Sequence, residues 1–584
     1  MQNYKKNNTC LTFIIGALVG FIIFIAIYGF DVIKFTNDSL IINGYIEKDI
    51  AQHYGGWMLY RNSPWRFPLG LGQNMAYPYG TVVSYTDSIP LLAIFFKIFR
   101  DFLPATFQYF GFYCLLCFML QGAFGSLISN LFSKSIITDI LASAVFVLSP
   151  IMIERAFRHC GLTSHFLILS ALYFYFCNKG KTDFKAYLPF FIINVLAITI
   201  HPYFLPFTFG IMFAFAVEQF FINKKIVSAP AYVVFSILIT LLIGYIIGAF
   251  YSTGSMSSFG YGFFNMNLNA LINPMSRGFT NWSSVLPVRP NILGQPEAFS
   301  YLGLGIILMI PISAFIAVLH YKLNIFKECF EFIFNYYGII FSTAALFIFA
   351  VGDWIMFDEI QIYRIPFPAS LMEGLFGIFR ANGRFTWLLI YAIVIAIIFC
   401  LTRCNKITVT NVLLALLILI QVYDLKDVLN SKHSYFTGSE GDLQGQVYEK
   451  ILKNSIWDDA AEKYEICTMI SSGIANSGIE ISVKFGKNGH AANTALEARV
   501  DYPKADQLYA DTLSKINQGA LPENELVMIN DINENILNDC IENGYSLYCV
   551  ETDHLICKNK FSTEEIQKYT SEGNFEIIYS PDFL

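Results

Sequence analysis

The chain has 584 residues, 55% of them hydrophobic and 14% charged, with a formal charge of −6 and a mean hydropathy of +0.50. A soluble globular protein carries about 25% charged residues, so the composition excludes a wholly soluble chain, and no nucleic-acid partner is expected. The charge is divided: from Glu440 onward there are 25 acidic and 11 basic residues, and before it 19 acidic and 27 basic. That shift places a domain boundary near residue 425.

A membrane-crossing helix needs about 20 apolar residues. Runs of that kind lie at 10–30, 107–132, 135–151, 160–178, 184–200, 203–222, 228–250, 301–320, 334–352, 384–402 and 407–424. Lys5 and Lys6 precede the first run, and no small-residue cleavage site follows it, so it reads as a span and not as a signal peptide. A further apolar run, 88–99, has only twelve residues and reads as re-entrant or interfacial. With that run excluded, the connectors holding Lys134, Lys179/Lys181/Lys185, Lys224/Lys225, Lys322/Lys327 and Arg403/Lys406 share a side with Lys5 and Lys6. The positive-inside rule makes that side cytoplasmic.

The expected fold is therefore an all-α polytopic membrane bundle of about eleven transmembrane helices, residues 1–425, with a C-terminal soluble α/β domain, 426–584. The N-terminus is expected to be cytoplasmic and the tail extracytoplasmic, in a multi-pass protein of a bacterial inner membrane. Loops 31–87, 251–300 and 353–383 then all face outward, together with the turns at Glu154-Arg155, Arg158-His159 and His201-Pro202.

In the tail, alternation and β-branched content predict strands at 464–469, 479–485, 526–529, 548–551 and 575–579, and a helix at 444–454. Of twelve cysteines, eight lie in or beside apolar segments, among them the Cys114/Cys117 pair inside a predicted span. The other four, Cys467, Cys540, Cys549 and Cys557, are expected to show some pairing outside the cell, with Cys549 and Cys557 near enough in sequence for a hairpin clip.

Ionisable residues concentrate on the outward face. The first loop contains EKDIAQHYGGWMLYRNSPWRFPLG at 47–70 and YTDSIP at 85–90. Asp49 and His53 are four apart and share a helical face. By spacing alone they suit an interfacial amphipathic helix anchored by Trp57 and Trp65 as well as a catalytic or ligand pair. Asp49, His53 and Asp87 together are compatible with a divalent metal, Mg or Mn. His201 interrupts an apolar stretch, where ionisable residues mark functional sites. Arg158 and His159 follow a span directly. Arg380 and Arg384 stand at the mouth of the 384–402 run, where they could snorkel to headgroups or grip a phosphate. The segments 265–274 and 282–296 read as loops able to order over a substrate.

The pattern DxxxHYxGW followed by YxDSIPL, with a carboxylate just after the first span, resembles the membrane glycosyltransferases of the GT-C class. It looks like a bacterial branch of them known mainly as an uncharacterised family. The likeness extends over Arg158-His159, His201-Pro202-Tyr203, Asn273-Pro274, YLGLG at 301–305 and FRANGRF at 379–385, and covers the membrane half better than the tail. It implies transfer of a sugar from a polyprenyl-phosphate donor to a glycan, lipid or protein acceptor on the outer face. Asp49 would be the general base, Asp87 a second catalytic carboxylate, and His53, Arg158, His159, His201, Arg380 and Arg384 substrate-binding residues. A transporter, carrier-lipid binding protein or scaffold on the same bundle stays open, although neither internal repeats nor broken helices are visible.

Overall fold

The computed structural model describes residues 8–42, 48–133, 135–251, 259–275, 281–374, 376–404, 406–438, 450–470, 477–495, 497–498 and 500–583. They fall into two compact units. The first comprises 1–34, 109–243 and 256–446, and the second 35–108, 244–255 and 447–584.

The first unit is helical. Among the described residues of the chain, eight helices are long and apolar enough to cross a membrane, and three shorter apolar ones are Ile136–Val147, Phe184–Ile200 and Tyr337–Val351. Each of the eleven apolar runs thus contains a helix. Ile136–Val147 is shorter than its run because Pro150 cannot continue a helix and instead opens Pro150–Arg155.

Thr9–Tyr28 packs closely on Phe110–Asn130, and glycines permit it: a Cβ on Gly20 would collide with the Phe118 carbonyl, and one on Gly122 with the Gly16 carbonyl. Small residues are what bring helices together where lipid removes the hydrophobic drive. Polar groups in the bundle pair with each other. Gln121 donates to Tyr391 Oη at 2.9 Å, and His165 Nδ1 lies 2.8 Å from the same oxygen.

The YLGLG segment is fixed in the same way. Tyr301 donates to the buried Asp424 at 2.7 Å, which also accepts from the Leu304 amide at 2.9 Å. A Cβ on Gly303 would collide with the Gln421 amide group. The 265–274 segment is a run of turns whose buried Asn267 and Asn269 reach Asp358, in the tight turn of the hairpin Trp354–Phe357/Ile360–Arg364.

The second unit is built on a six-stranded mixed sheet. Its strand order is Phe575–Tyr579, Ser546–Val550, Asp553–Cys557, Glu525–Ile529, Ile466–Ile470, Ala491–Ala492. Ile466–Ile470 runs parallel to both of its neighbours, and the other pairings are antiparallel. The first loop extends the edge strand: the Ala492 amide donates to the Asn74 carbonyl at 3.0 Å and the Ala498 amide to Tyr85 at 2.7 Å.

Four of the five expected tail strands form. The fifth, 479–485, belongs to the helix Ser477–Lys487. Its I-E-I-S-V-K-F alternation reads as a half-buried strand, yet Ser477 to Val483 are all buried and Glu480 accepts from the Ile451 and Leu452 amides. Burial on every side removes the polar face that alternation presupposes, and packing overrides local preference. Of the helix expected at 444–454, residues 444–449 lie outside the described residues and 450–454 are not helical. All twelve cysteines are free. The expected clip is absent because the register sets Cys557 opposite Ser546 and Cys549 opposite His554.

Candidate functional site

The candidate residues divide between the units. Asp49, His53 and Asp87 are in the second, and Arg158, His159, His201, Arg380 and Arg384 in the first.

Asp49 occupies the first turn of the helix Lys48–Asn62 and is half-buried, and His53, one turn on, is buried. The helix is fastened along its length. Tyr54 donates to Asp38 at 2.9 Å, and Lys487 also meets Asp38, at 2.6 Å. Trp57 Nε1 donates to the Phe107 carbonyl at 3.1 Å, and Asn62 donates to the Gly486 carbonyl at 2.9 Å.

The GGW sequence has a steric reason. Gly55 lies against Ser482 of the tail helix, and a Cβ on Gly56 would collide with Thr86 Oγ1. Through Gly56 the YTDS turn seats on the helix, where Ser88 Oγ donates to the His53 carbonyl at 2.6 Å. The two motif segments of the first loop are thus in direct contact. Asp87 lies between Thr86 and Ser88, half-buried, with a left-handed φ of +54°. Among the described residues no group of three or more His, Cys, Asp or Glu side chains is placed to hold a metal ion. Asp49, His53 and Asp87 do not form such a group.

In the first unit the structure assembles a buried ionic cluster. Glu297 receives Arg155 Nη1 at 3.3 Å, Arg158 Nη2 at 3.4 Å and Arg384 Nη2 at 3.0 Å. Arg155 Nη2 also donates to the Glu297 carbonyl at 2.8 Å. Glu154 pairs with Arg155 Nε at 3.0 Å and, one turn along, with Arg158. All five side chains are buried, so among the described residues three guanidiniums face two carboxylates. Burial pushes the Glu297 carboxyl up, but Arg158, Arg155 and Arg384 outweigh it and hold the group well below the usual carboxylate range.

Arg384 also stacks over the Tyr203 ring, 5.1 Å from its centroid, and the Tyr203 hydroxyl accepts from the Ala381 amide at 2.9 Å. His201 is buried at the end of Phe184–Ile200, and its Nδ1 accepts from the Tyr203 amide at 3.2 Å, capping the next turn. His159 is half-buried beside the cluster and adds to the positive field at Glu297.

Arg380 is half-buried beside Gly260. The chain between it and Arg384 is interrupted between two 3₁₀ turns, so the four-residue spacing is not a shared helical face.

Sequence reasoning passed over Glu154, Arg155 and Glu297 as site residues. ER..R at 154–158 is an i, i+4 ion-pair pattern and was a readable signal. Glu297, more than 130 residues away, carries none.

A sequence model described as a domain of unknown function, DUF6311, matches residues 17–426. The chain belongs to the DUF6311 family. The DUF6311 region begins within the helix Thr9–Tyr28, takes in the first loop, the ionic cluster and the remaining apolar helices through Ile407–Asp424, and stops before the tail sheet. No curated protein matches the chain.

Proposed function

We propose that the protein is a membrane glycosyltransferase that moves a sugar from a polyprenyl-phosphate carrier to an acceptor on the extracytoplasmic face. In this reading all eleven apolar helices cross the bilayer, the N-terminus is cytoplasmic and residues 426–584 lie outside. The short Lys-rich connectors support that orientation.

The observation that carries the reading is the seating of the YTDS turn on the Asp49/His53 helix through Gly56, which joins the two motifs of the first loop. Asp49 takes the proton of the acceptor hydroxyl as its oxygen attacks the anomeric carbon. The bond from that carbon to the carrier phosphate breaks with inversion, and the electron pair leaves on the phosphate. A base so placed contributes about 10²–10⁴-fold. The convergence of the Arg155, Arg158 and Arg384 guanidiniums supports an anionic substrate.

The test is transfer of a labelled sugar from a polyprenyl-phosphate donor in proteoliposomes. Asp49→Asn is expected to lower turnover by more than about 100-fold, or about 2.7 kcal/mol of transition-state stabilisation, with the fold intact. Undiminished turnover removes Asp49 from the mechanism. One observation favours a second reading, carrier-lipid binding or scaffolding without catalysis: Glu297 already engages Arg158 and Arg384, as in a structural lock. Absence of transfer by the unaltered protein across several donors selects that reading.

A further inference from the structure

Two stretches of the first loop turn large apolar side chains outward. After the helix Lys48–Asn62 the chain exposes Trp65, Phe67 and Leu69. The helix Pro90–Lys97 and the 3₁₀ turn Arg100–Phe102 expose Leu91, Phe95, Ile98, Phe99 and Phe102. Leu91 and Phe95, four apart, share a face of the helix, and Ile98, Phe99 and Phe102 continue the exposed apolar run through the turns that follow. Phe102 is 88% exposed, Ile98 62% and Phe67 57%. The opposite side is packed: Ala93 is buried, and Phe96 lies 4.9 Å from Phe107, which stacks on Phe35.

Lys97 ties the two stretches together. It is buried, with its ammonium 3.9 Å from the centroid of the Tyr60 ring and 4.6 Å from that of Trp65. The patch is therefore a single formed surface.

The same segment is fastened to the end of an apolar helix of membrane-crossing length. The Leu69 amide donates to the Ile246 carbonyl at 2.8 Å, and the Phe67 ring lies 5.2 Å from Tyr245. Tyr245 and Ile246 are in the last turn of Ser228–Ile247, and a Cβ on Gly70 would collide with the Ile247 carbonyl. A surface attached to the last turn of such a helix sits where hydrocarbon gives way to headgroups. The charges on its rim are Arg66, Arg100 and Asp101, with Arg100 Nε 3.6 Å from Asp101. Exposed aromatics bordered by arginine suit that boundary, whereas a water-facing surface rarely carries so large a contiguous apolar patch.

We propose that residues 64–69 and 90–102 form a wedge that enters the headgroup–acyl boundary of the bilayer. The unit built from the first loop and the tail then carries its own lipid-facing surface, whatever reaction the protein performs. The experiment uses the full chain with p-benzoylphenylalanine in place of Phe95 or Phe102, reconstituted in phosphatidylethanolamine–phosphatidylglycerol liposomes and irradiated. A phospholipid mass added at both positions, and none at the exposed tail residue Tyr502, is the expected result. An adduct joining two copies of the chain overturns the proposal. So does no adduct at either position while the same probe at Leu238, on the apolar helix, takes up lipid. No sugar donor enters the assay, so its outcome is separate from that of the transfer assay.

Discussion

The two units bury their arginines in opposite ways. In the helical unit, Arg155, Arg158 and Arg384 converge on carboxylates, and one buried residue, Glu297, meets all three. In the loop–tail unit, Arg61 is buried and meets no carboxylate among the described residues: it donates to the carbonyls of Pro104 at 2.9 Å, Leu103 at 3.0 Å and Arg100 at 3.2 Å. The Nη groups of such a cation are met by backbone carbonyls that the chain presents anyway. A cluster of ions depends on every member, because losing one leaves its partners buried without it. Close glycine contacts occur in both units, at Gly20 and Gly122 in the one and at Gly55, Gly56 and Gly486 in the other, so the difference lies in how the buried arginines are held.

Glu297→Gln presses hardest on that contrast. It leaves three buried guanidiniums against one carboxylate, and a loss of roughly 3–5 kcal/mol is expected, read as a lowered apparent melting temperature in detergent. Little change would show the cluster to be hydrated and not dry.

Gly56→Val tests the other unit. Its side chain collides with Thr86, and the cost of such overpacking is about 1–3 kcal/mol. Limited proteolysis should show the loop–tail unit opening while the helical unit stays protected. Equal protection of both units would break the distinction.

A pH titration separates them further. Burial pushes the Glu497 carboxyl up to about 7, whereas in an unfolded chain it titrates near 4.3. Between those values the unfolded chain binds fewer protons than the folded one, so stability falls as pH rises, by at most about 1.4 kcal/mol per pH unit. Hydrogen exchange of the tail sheet at pH 5 and pH 8 is the measurement, and Glu497→Gln should flatten the difference.

The smallest effect is expected at Glu331, exposed and 3.8 Å from Lys327. Glu331→Gln should change stability by less than about 0.5 kcal/mol in the same melting assay. A loss near that of Glu297→Gln would mean that burial is not what separates the two ion pairs.

The apolar helices were legible in the sequence because a membrane span is announced by some twenty consecutive residues of its own. The strands Ile466–Ile470, Glu525–Ile529, Ser546–Val550 and Phe575–Tyr579 were legible for a similar local reason. The candidate site was legible only in pieces. Asp49 and His53 are neighbours on a helix by spacing, but the contact of that helix with the YTDS turn depends on Gly56 meeting Thr86, thirty residues away.

By itself, then, the sequence determined where the apolar helices and most tail strands lie, since hydropathy and alternation are properties of short windows. Tertiary structure alone decided that 479–485 would be helical, that Glu297 would gather three arginines, and that 35–108 would join the tail in one compact unit. Those outcomes rest on burying surface and balancing charge between residues far apart in the chain, which no local pattern records.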